Sequence, residues 1–184
     1  AINTDTATLE PWTVHTSGNV LALASNASTL FVGGDLYSIG GALRKNLAAF
    51  DPQTYVVLPW RPDADDTVLA LACTEDAVFA GGDFTTIGGQ TRPHLARLEP
   101  RFGNATSWNP FPNNTVTRLA LSGNRLYASG YFSNIGGQNR NYLAVVNPVS
   151  GSVESWDAQV NSFVDALAVT TDTVYIGGAF TSVG

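Results

Sequence analysis

The sequence has no methionine and only one cysteine, Cys73, among 184 residues. A lone cysteine cannot form a disulfide within the chain, so no internal disulfide framework supports the fold and the redox compartment stays open. Cys73 directly follows an apolar run at residues 68–72, which favours a small buried side chain over a reactive thiol. The absence of Met, with Ala1 as the first residue, predicts a processed protein or an excised piece of a longer one.

Positive charge and long apolar runs are also scarce. The formal net charge is −6 and the sequence pI is near 4.6, which argues against a surface that tracks nucleic-acid phosphates. No run approaches the roughly 20 apolar residues of a membrane-spanning helix. The first residues carry no basic-then-apolar targeting pattern.

Residue patterns typical of catalysis are nearly missing. The two histidines, His15 and His94, stand at non-equivalent positions, and no His/Cys cluster has metal-ligand spacing. The acidic stretch at residues 63–66 lacks the Gly and the distal Glu of an EF-hand loop, which favours a solvated turn over a calcium site. We therefore expect no catalytic residues, no metal, no cofactor and no enzymatic activity, although carboxylates that are distant in the sequence can still meet in space.

What the sequence does have is an internal repeat. The stretch at residues 30–41 recurs at 78–89 and 126–137 and begins again at 174, without any insertion. A period of 48 residues relates the positions Gly34, Gly82, Gly130 and Gly178, and Trp12, Trp60, Trp108 and Trp156. A period in this range indicates a solenoid, propeller or array.

Each unit reads as four short strands, named a to d in chain order. In the first unit they are residues 20–24, 29–32, 47–50 and 55–60, bounded by Gly, Pro, Asn and Asp. Four short antiparallel strands per unit predict an all-β fold, a β-propeller of four-stranded blades, rather than a parallel β-helix.

We expect residues 1–184 to form a single propeller domain or propeller segment that starts in a c strand and ends in a b–c loop. Either the N-terminal c–d hairpin completes the last a–b pair in a small four-bladed ring, or the chain is an arc of a larger propeller. The end at Gly184, inside a motif, favours the arc, which should associate through its exposed edges and faces.

The repeated residues have predictable structural roles. A strand that ends in a glycine pair, such as Gly33 and Gly34, can turn with positive φ and lets another backbone approach closely. The repeated Trp offers an apolar face to the neighbouring blade. Arg44, Arg92 and Arg140 are expected to pair with Asp35 and Asp83 in the b–c loops, although the third unit breaks this pattern because Tyr131 stands in the place of Asp.

The repeat also resembles a known family. The pattern apolar-Tyr/Phe-apolar-Gly-Gly-Asp-Phe-x-x-Ile-Gly-Gly-x-x-Arg-x-x-Leu-Ala, followed by a Trp-Asn-Pro-like element, is similar to the delta-sixty type of propeller repeat. It also resembles the Kelch-like repeats of fungal and bacterial cell-surface proteins, although Asp51 precedes Trp60 by a longer interval than Kelch units show. The resemblance implies an extracellular or cell-surface scaffolding or binding module.

Function should depend on residues that differ between blades. The d–a and b–c loops of a propeller share one face, and there we single out Tyr37, Arg61, His94 and Tyr131 as candidate ligand-binding residues. Three sequons, at Asn26, Asn104 and Asn113, are candidate glycosylation sites in predicted surface turns.

The leading hypothesis is an extracellular structural or protein-interaction module whose partners are other protein chains or the rest of a larger parent protein. The alternative is a carbohydrate-binding, lectin-like propeller.

Overall fold

A computed structural model of the chain describes residues 1–10 and 12–184. Over these residues the secondary structure consists of 16 β-strands with no helix. The strands are β1 (Thr16–Ser25), β2 (Leu30–Ile39), β3 (Ala42–Leu43), β4 (Leu47–Phe50), β5 (Val68–Cys73), β6 (Val78–Gly82), β7 (Thr86–Ile87), β8 (Gln90–Thr91), β9 (Leu95–Leu98), β10 (Val116–Ser122), β11 (Arg125–Gly130), β12 (Asn134–Ile135), β13 (Gln138–Asn139), β14 (Leu143–Val146), β15 (Val164–Val169) and β16 (Val174–Gly178).

Each blade is built on an antiparallel a–b–c meander. The second blade pairs β5, β6 and β9 in that order, and the third pairs β10, β11 and β14 in the same register. In the first blade β2 lies between β1 and β4, and the fourth contains β15 and β16. Strands a, b and c therefore lie where the sequence predicts them, and the all-β prediction is confirmed.

The predicted d strand is reduced to a single bridge in each of the first three blades. Phe50 pairs with Val57, Leu98 with Ala105 and Val146 with Val153, and pairing stops there. The chain then leaves the sheet because the following Trp turns towards the next blade, where Trp60 Nε1 donates to the Glu99 carbonyl at 3.0 Å.

The b–c connections contain short hairpins that the sequence analysis missed. Strands β7 and β8 pair across Gly88 and Gly89, whose φ angles are +58° and +76°. Two consecutive residues with positive φ form a tight hairpin turn that suits glycine. The hairpin buries Ile87 in the core, so what we read as a long loop is a folded part of the blade.

The glycine pair at the end of strand b has only one of its two predicted roles. A Cβ on Gly82 would lie 2.1 Å from the Thr67 carbonyl oxygen, which confirms the close backbone approach. The positive φ expected there is wrong, because it occurs instead at Gly88 and Gly89. Gly82 is needed for space and not for conformational freedom.

Neighbouring blades pack face to face. Between the first and second blades, Phe31 packs edge-on against Trp60 with ring centroids 5.1 Å apart, and both contact the cluster that contains Val68. Phe79 and Trp108 repeat this geometry in the next junction at 5.4 Å. The two largest cores therefore lie between blades, and the predicted role of the repeated Trp is confirmed.

The two end blades each leave part of one face uncovered. On the first blade Trp12 and Val14 pack against the cluster that contains Phe50, whereas Val20 and Leu23 are exposed. Strand β16 pairs only with β15, and the N-terminal hairpin, closed by the bridge from Ile2 to Leu9, does not extend that sheet within the described residues. Successive a strands pack against one another along the chain, but β1 makes no comparable contact with β15. The described part of the chain contains no helix long and apolar enough to cross a membrane.

Candidate functional site

A repeated hydrogen-bond clamp joins the d–a loop of each blade to its b–c loop. Asp65 Oδ1 accepts from the amides of Thr85 and Thr86 at 2.8 and 2.9 Å. The same two bonds recur in every blade, with Ser17, Asn113 and Asn161 as the acceptors. These clamps hold the two loop sets on one face, as predicted.

Asp65 is the only ionisable acceptor among the four clamps. Partial burial opposes its charge, but hydrogen bonds from the Thr85 hydroxyl and from the Thr86 and Thr85 amides outweigh that effect and lower the pKa of Asp65. The Thr85 hydroxyl donates to Oδ2 at 2.6 Å. The carboxylate is thus a charged structural acceptor.

The repeated arginines do not pair with Asp35 and Asp83, so that prediction is wrong. Arg44 Nη2 donates to the Leu58 carbonyl at 2.8 Å, and Arg92 and Arg140 reach the equivalent carbonyls of Thr106 and Glu154. The guanidinium supplies hydrogen bonds where strand d has left the sheet. These arginines fasten the c–d hairpin to the b–c loop.

An aromatic cluster marks the loop face between the third and fourth blades. The rings of Tyr131 and Phe163 lie edge-on with centroids 4.9 Å apart, and Tyr142 packs on Phe163 at 5.3 Å. Tyr131 and Phe163 are 46% and 41% exposed. We call these three residues the aromatic cluster.

The preceding junction has polar residues at two of these positions. Asp83 and Thr115 stand where Tyr131 and Phe163 would be, and the Thr115 hydroxyl donates to Asp83 Oδ1 at 2.5 Å. A hydrogen-bonded pair in one junction has therefore been replaced by exposed aromatic rings in the next. The cluster occurs at one junction only. Residues that are not repeated from blade to blade are more typical of binding sites than of the repeated structural framework.

Tyr142 has a left-handed backbone conformation that the fold imposes. Its φ is +63°, and Asn46 and His94 at the equivalent positions have +64° and +62°. The Tyr142 amide donates to the Phe132 carbonyl at 3.0 Å. A bulky aromatic residue is uncommon in this conformation, which supports a role for the ring itself.

The four predicted ligand-binding residues do not share one pocket. Exposed Tyr37 lines a depression of about 320 Å³ with Asp35, Lys45 and Asp66. Arg61 lines another of about 610 Å³, near Asn104, and its Nε lies 2.8 Å from Asp63 Oδ2.

His94 and Tyr131 line neither of these depressions. His94 Nδ1 lies 3.1 Å from the Gly82 carbonyl oxygen, so its ring is engaged with the blade's own backbone. Tyr131 belongs to the aromatic cluster. Sequence reasoning found it but missed Phe163 and Tyr142. Phe163 was detectable as an aromatic residue at a position that is polar in the other units: Asn19, Thr67 and Thr115.

The three sequons differ in accessibility. Asn104 is exposed, and its amide nitrogen donates to Glu99 Oε2 at 3.2 Å. Asn113 is a clamp residue, and the hydroxyl of its sequon residue Thr115 is buried. Asn26 is half-buried and donates to the Thr74 carbonyl in the next blade at 3.4 Å.

The remaining reactive groups show structural roles. Cys73 is half-buried, and burial together with the nearby charge of Glu75 raises the pKa of its thiol. Within residues 63–66, Asp66 accepts from the amide of Thr67 while Asp63 and Asp65 have the partners described above. Among the residues that the structure describes, no three His, Cys, Asp or Glu side chains form a group suited to a metal ion.

Blades of antiparallel strands stacked face to face, with their loops clamped on one side, define a β-propeller. Comparison with protein families gives the same class. Residues 78–100 and 122–155, about a third of the chain, match a family described as a β-propeller domain of unknown function, DUF5122. No curated protein matches the chain.

Comparison with solved structures gives one match with the same fold and one weaker match. The crystal structure of the computationally designed Ika4 protein superposes with a TM-score of 0.62 at 18% identity, covering 90% of each chain. The computationally designed Ika8 protein gives a TM-score of 0.42 at 14% identity, over 86% of this chain and 67% of that one. The likeness to Ika4 concerns the fold alone.

Proposed function

We propose that this propeller is an extracellular or cell-surface module that binds other protein chains through the aromatic cluster. The observation that carries the proposal is the replacement of the Asp83–Thr115 pair by the exposed rings of Tyr131 and Phe163. Exposed aromatic residues held rigidly by the fold are typical anchors of protein interfaces. Tyr142 extends the same apolar surface.

A binding role is proposed in preference to catalysis. His94 and Cys73 are of residue types that take part in proton transfer or nucleophilic attack. The ring of His94 is engaged by a backbone carbonyl, and the raised pKa of Cys73 keeps its thiol protonated.

The extracellular setting is supported by the resemblance to Kelch-like and delta-sixty surface repeats and by exposed Asn104. Mass spectrometry of the native protein tests it. We expect a glycan on Asn104 before any on Asn113, because Asn113 is engaged in a clamp. An unmodified Asn104 in material from the secretory route would remove this support.

A double variant with a natural precedent tests the interaction surface. Tyr131→Asp with Phe163→Thr installs the pair of the preceding junction, so the blades should stay folded. Wild type and an exposed control, Phe102→Ser, should recover the same surface proteins from native extracts. The double variant should recover them at least tenfold less. Equal recovery by all three proteins would contradict the proposal.

Carbohydrate binding is a second candidate, favoured by the depression beside Tyr37. An exposed aromatic ring next to Asp35, Lys45 and Asp66 provides both a stacking surface and hydrogen-bonding groups. A glycan array should then show binding that Tyr37→Ala abolishes. Loss of that binding in Tyr131→Ala instead would implicate the aromatic cluster. If the array shows no reproducible binding, carbohydrate binding is contradicted and protein binding is the one candidate function left.

A further inference from the structure

The junctions between blades follow one packing rule. An aromatic ring and a small residue on strand b face two apolar residues on strand a of the following blade. In the first junction Phe31 and Gly33 face Val68 and Leu71, and a Cβ on Gly33 would lie 2.7 Å from Val68 Cγ1. Gly81 meets Val116 Cγ1 at the same distance in the second junction.

The third junction shows how much the small position tolerates. Ser129 stands where the other units have glycine and is fully buried. Its hydroxyl donates to the Val164 carbonyl at 3.2 Å, across the junction. A serine is therefore accommodated at this position, and larger side chains are not observed there.

The exposed parts of the two end faces carry the two halves of this junction without a partner. On the last blade, Tyr175 is 59% exposed, whereas its equivalent Tyr127 is 6% exposed. On the first blade, Leu23 is 62% exposed, whereas its equivalent Leu71 is 8% exposed. Val20, the equivalent of fully buried Val68, is also exposed.

Gly177 leaves an empty socket on the last blade. In the described part of the chain, a Cβ placed there would meet only the Ala166 side chain of its own blade, at 3.6 Å. At Gly33 and Gly81 the equivalent space is filled by a valine of the next blade. The open space at Gly177 thus matches the side chain that Val20 presents.

We propose that a second copy of this chain covers these faces, packing head to tail. Tyr175 and Gly177 of one copy then contact Val20 and Leu23 of the other copy, so that the contact continues the internal junctions. The two faces differ, which makes the interface heterologous: it closes a ring if the rotation permits and otherwise extends. This surface is separate from the aromatic cluster, so the inference does not depend on the proposed function.

Substitutions at the two faces test the proposal by light scattering and sedimentation velocity. Wild type should form a species of at least twice the protomer mass, and the fraction of the protein in this species should rise with protein concentration. Gly177→Arg should give a monomer because it fills the socket with a long charged side chain. The variant should still fold, since position 177 tolerates a Cβ within the protomer. Gly177→Ser is the matched control and should still associate, as Ser129 does internally.

The heterologous geometry has its own test. Leu23→Glu should also give a monomer. This variant keeps an intact last-blade face, whereas Gly177→Arg keeps an intact first-blade face. Mixing the two variants should therefore give a complex of twice the protomer mass that contains one copy of each variant. Circular dichroism must show that each variant is folded.

Four results would overturn the proposal. A wild-type chain that stays monomeric at its highest soluble concentration leaves the faces to further units of a longer chain. Association that survives both substitutions uses a different surface. Loss of association in only one of the two variants indicates a symmetric contact through a single face, and failure of two monomeric variants to combine shows that the two faces do not bind each other.

Discussion

Asp65 links two loops that come from different parts of its blade. It accepts one hydroxyl and two amide hydrogen bonds from Thr85 and Thr86. The other three clamps use Ser17, Asn113 and Asn161, so the shared requirement is a short side chain with a hydrogen-bond acceptor. A negative charge at position 65 is one solution among several.

We expect Asp65→Ala to lower the free energy of unfolding by about 1 kcal/mol, because the amides of Thr85 and Thr86 lose their acceptor. Asp65→Asn is the matched control, since Asn113 and Asn161 make the same two amide bonds in other blades. It should cost less than half as much. Urea unfolding monitored by tryptophan fluorescence measures both, and equal losses would show that the charge itself matters.

The lowered pKa of Asp65 also predicts a dependence on pH. A carboxyl whose pKa is lower in the folded state than its ordinary value near 3.8 stabilises the protein above that value. This contribution is lost as the pH falls through the folded pKa. Asp65→Asn should therefore lose less stability than wild type below about pH 4, and parallel curves for the two proteins would contradict the assignment.

At the scale of residues, the sequence identified Tyr131 and the packing of the repeated Trp, but it gave the wrong partners for the repeated arginines. Tyr131 could be selected because Asp occupies its place in the first two units. The partners of Arg44 could not be found, since they are backbone carbonyls exposed only because strand d leaves the sheet. Side-chain charge gives no information about such acceptors.

The glycines of strand b offer a test at the scale of elements. Gly82→Ala should destabilise the protein by about 1–3 kcal/mol, because the new Cβ would lie 2.1 Å from the Thr67 carbonyl oxygen in the paired strand. Gly177→Ala places the same methyl group in ordinary van der Waals contact with the Ala166 side chain, at 3.6 Å, and should change stability by less than about 0.5 kcal/mol. Thermal unfolding of the two variants compares them directly, and similar losses would indicate a general cost of replacing glycine in this strand.

Strand positions were predictable to different degrees. Strands a, b and c have apolar runs with fixed ends, and the Pro residues after strand c end it where expected. Strand d was overestimated because Trp60 contributes β-propensity but in fact packs into the next blade. The hairpin at Gly88 and Gly89 was missed because each of its strands, β7 and β8, has only two residues.

At the scale of the molecule, the middle blades should be more stable than the ends. Both faces of β6 and β11 are covered by neighbouring blades, whereas every residue of β1 and all but Val164 in β15 are exposed or half-buried. Amide hydrogen exchange should therefore be slowest in β6 and β11. The monomeric Gly177→Arg variant is the sample of choice, and uniform protection from β1 to β16 would show that the blades unfold only together.

The packing rule between blades has a consequence for how such genes lengthen. Gly81 faces Val116, and Val68 begins its own blade with the same residue type. An in-frame duplication of residues 68–115 would therefore place the copied Val68 against Gly81 and the copied Gly81 against Val116. We expect the longer chain to fold in register, and circular dichroism should show the strand signal of one additional repeat. Recombination can then vary the number of repeats without any compensating mutation at the new joint.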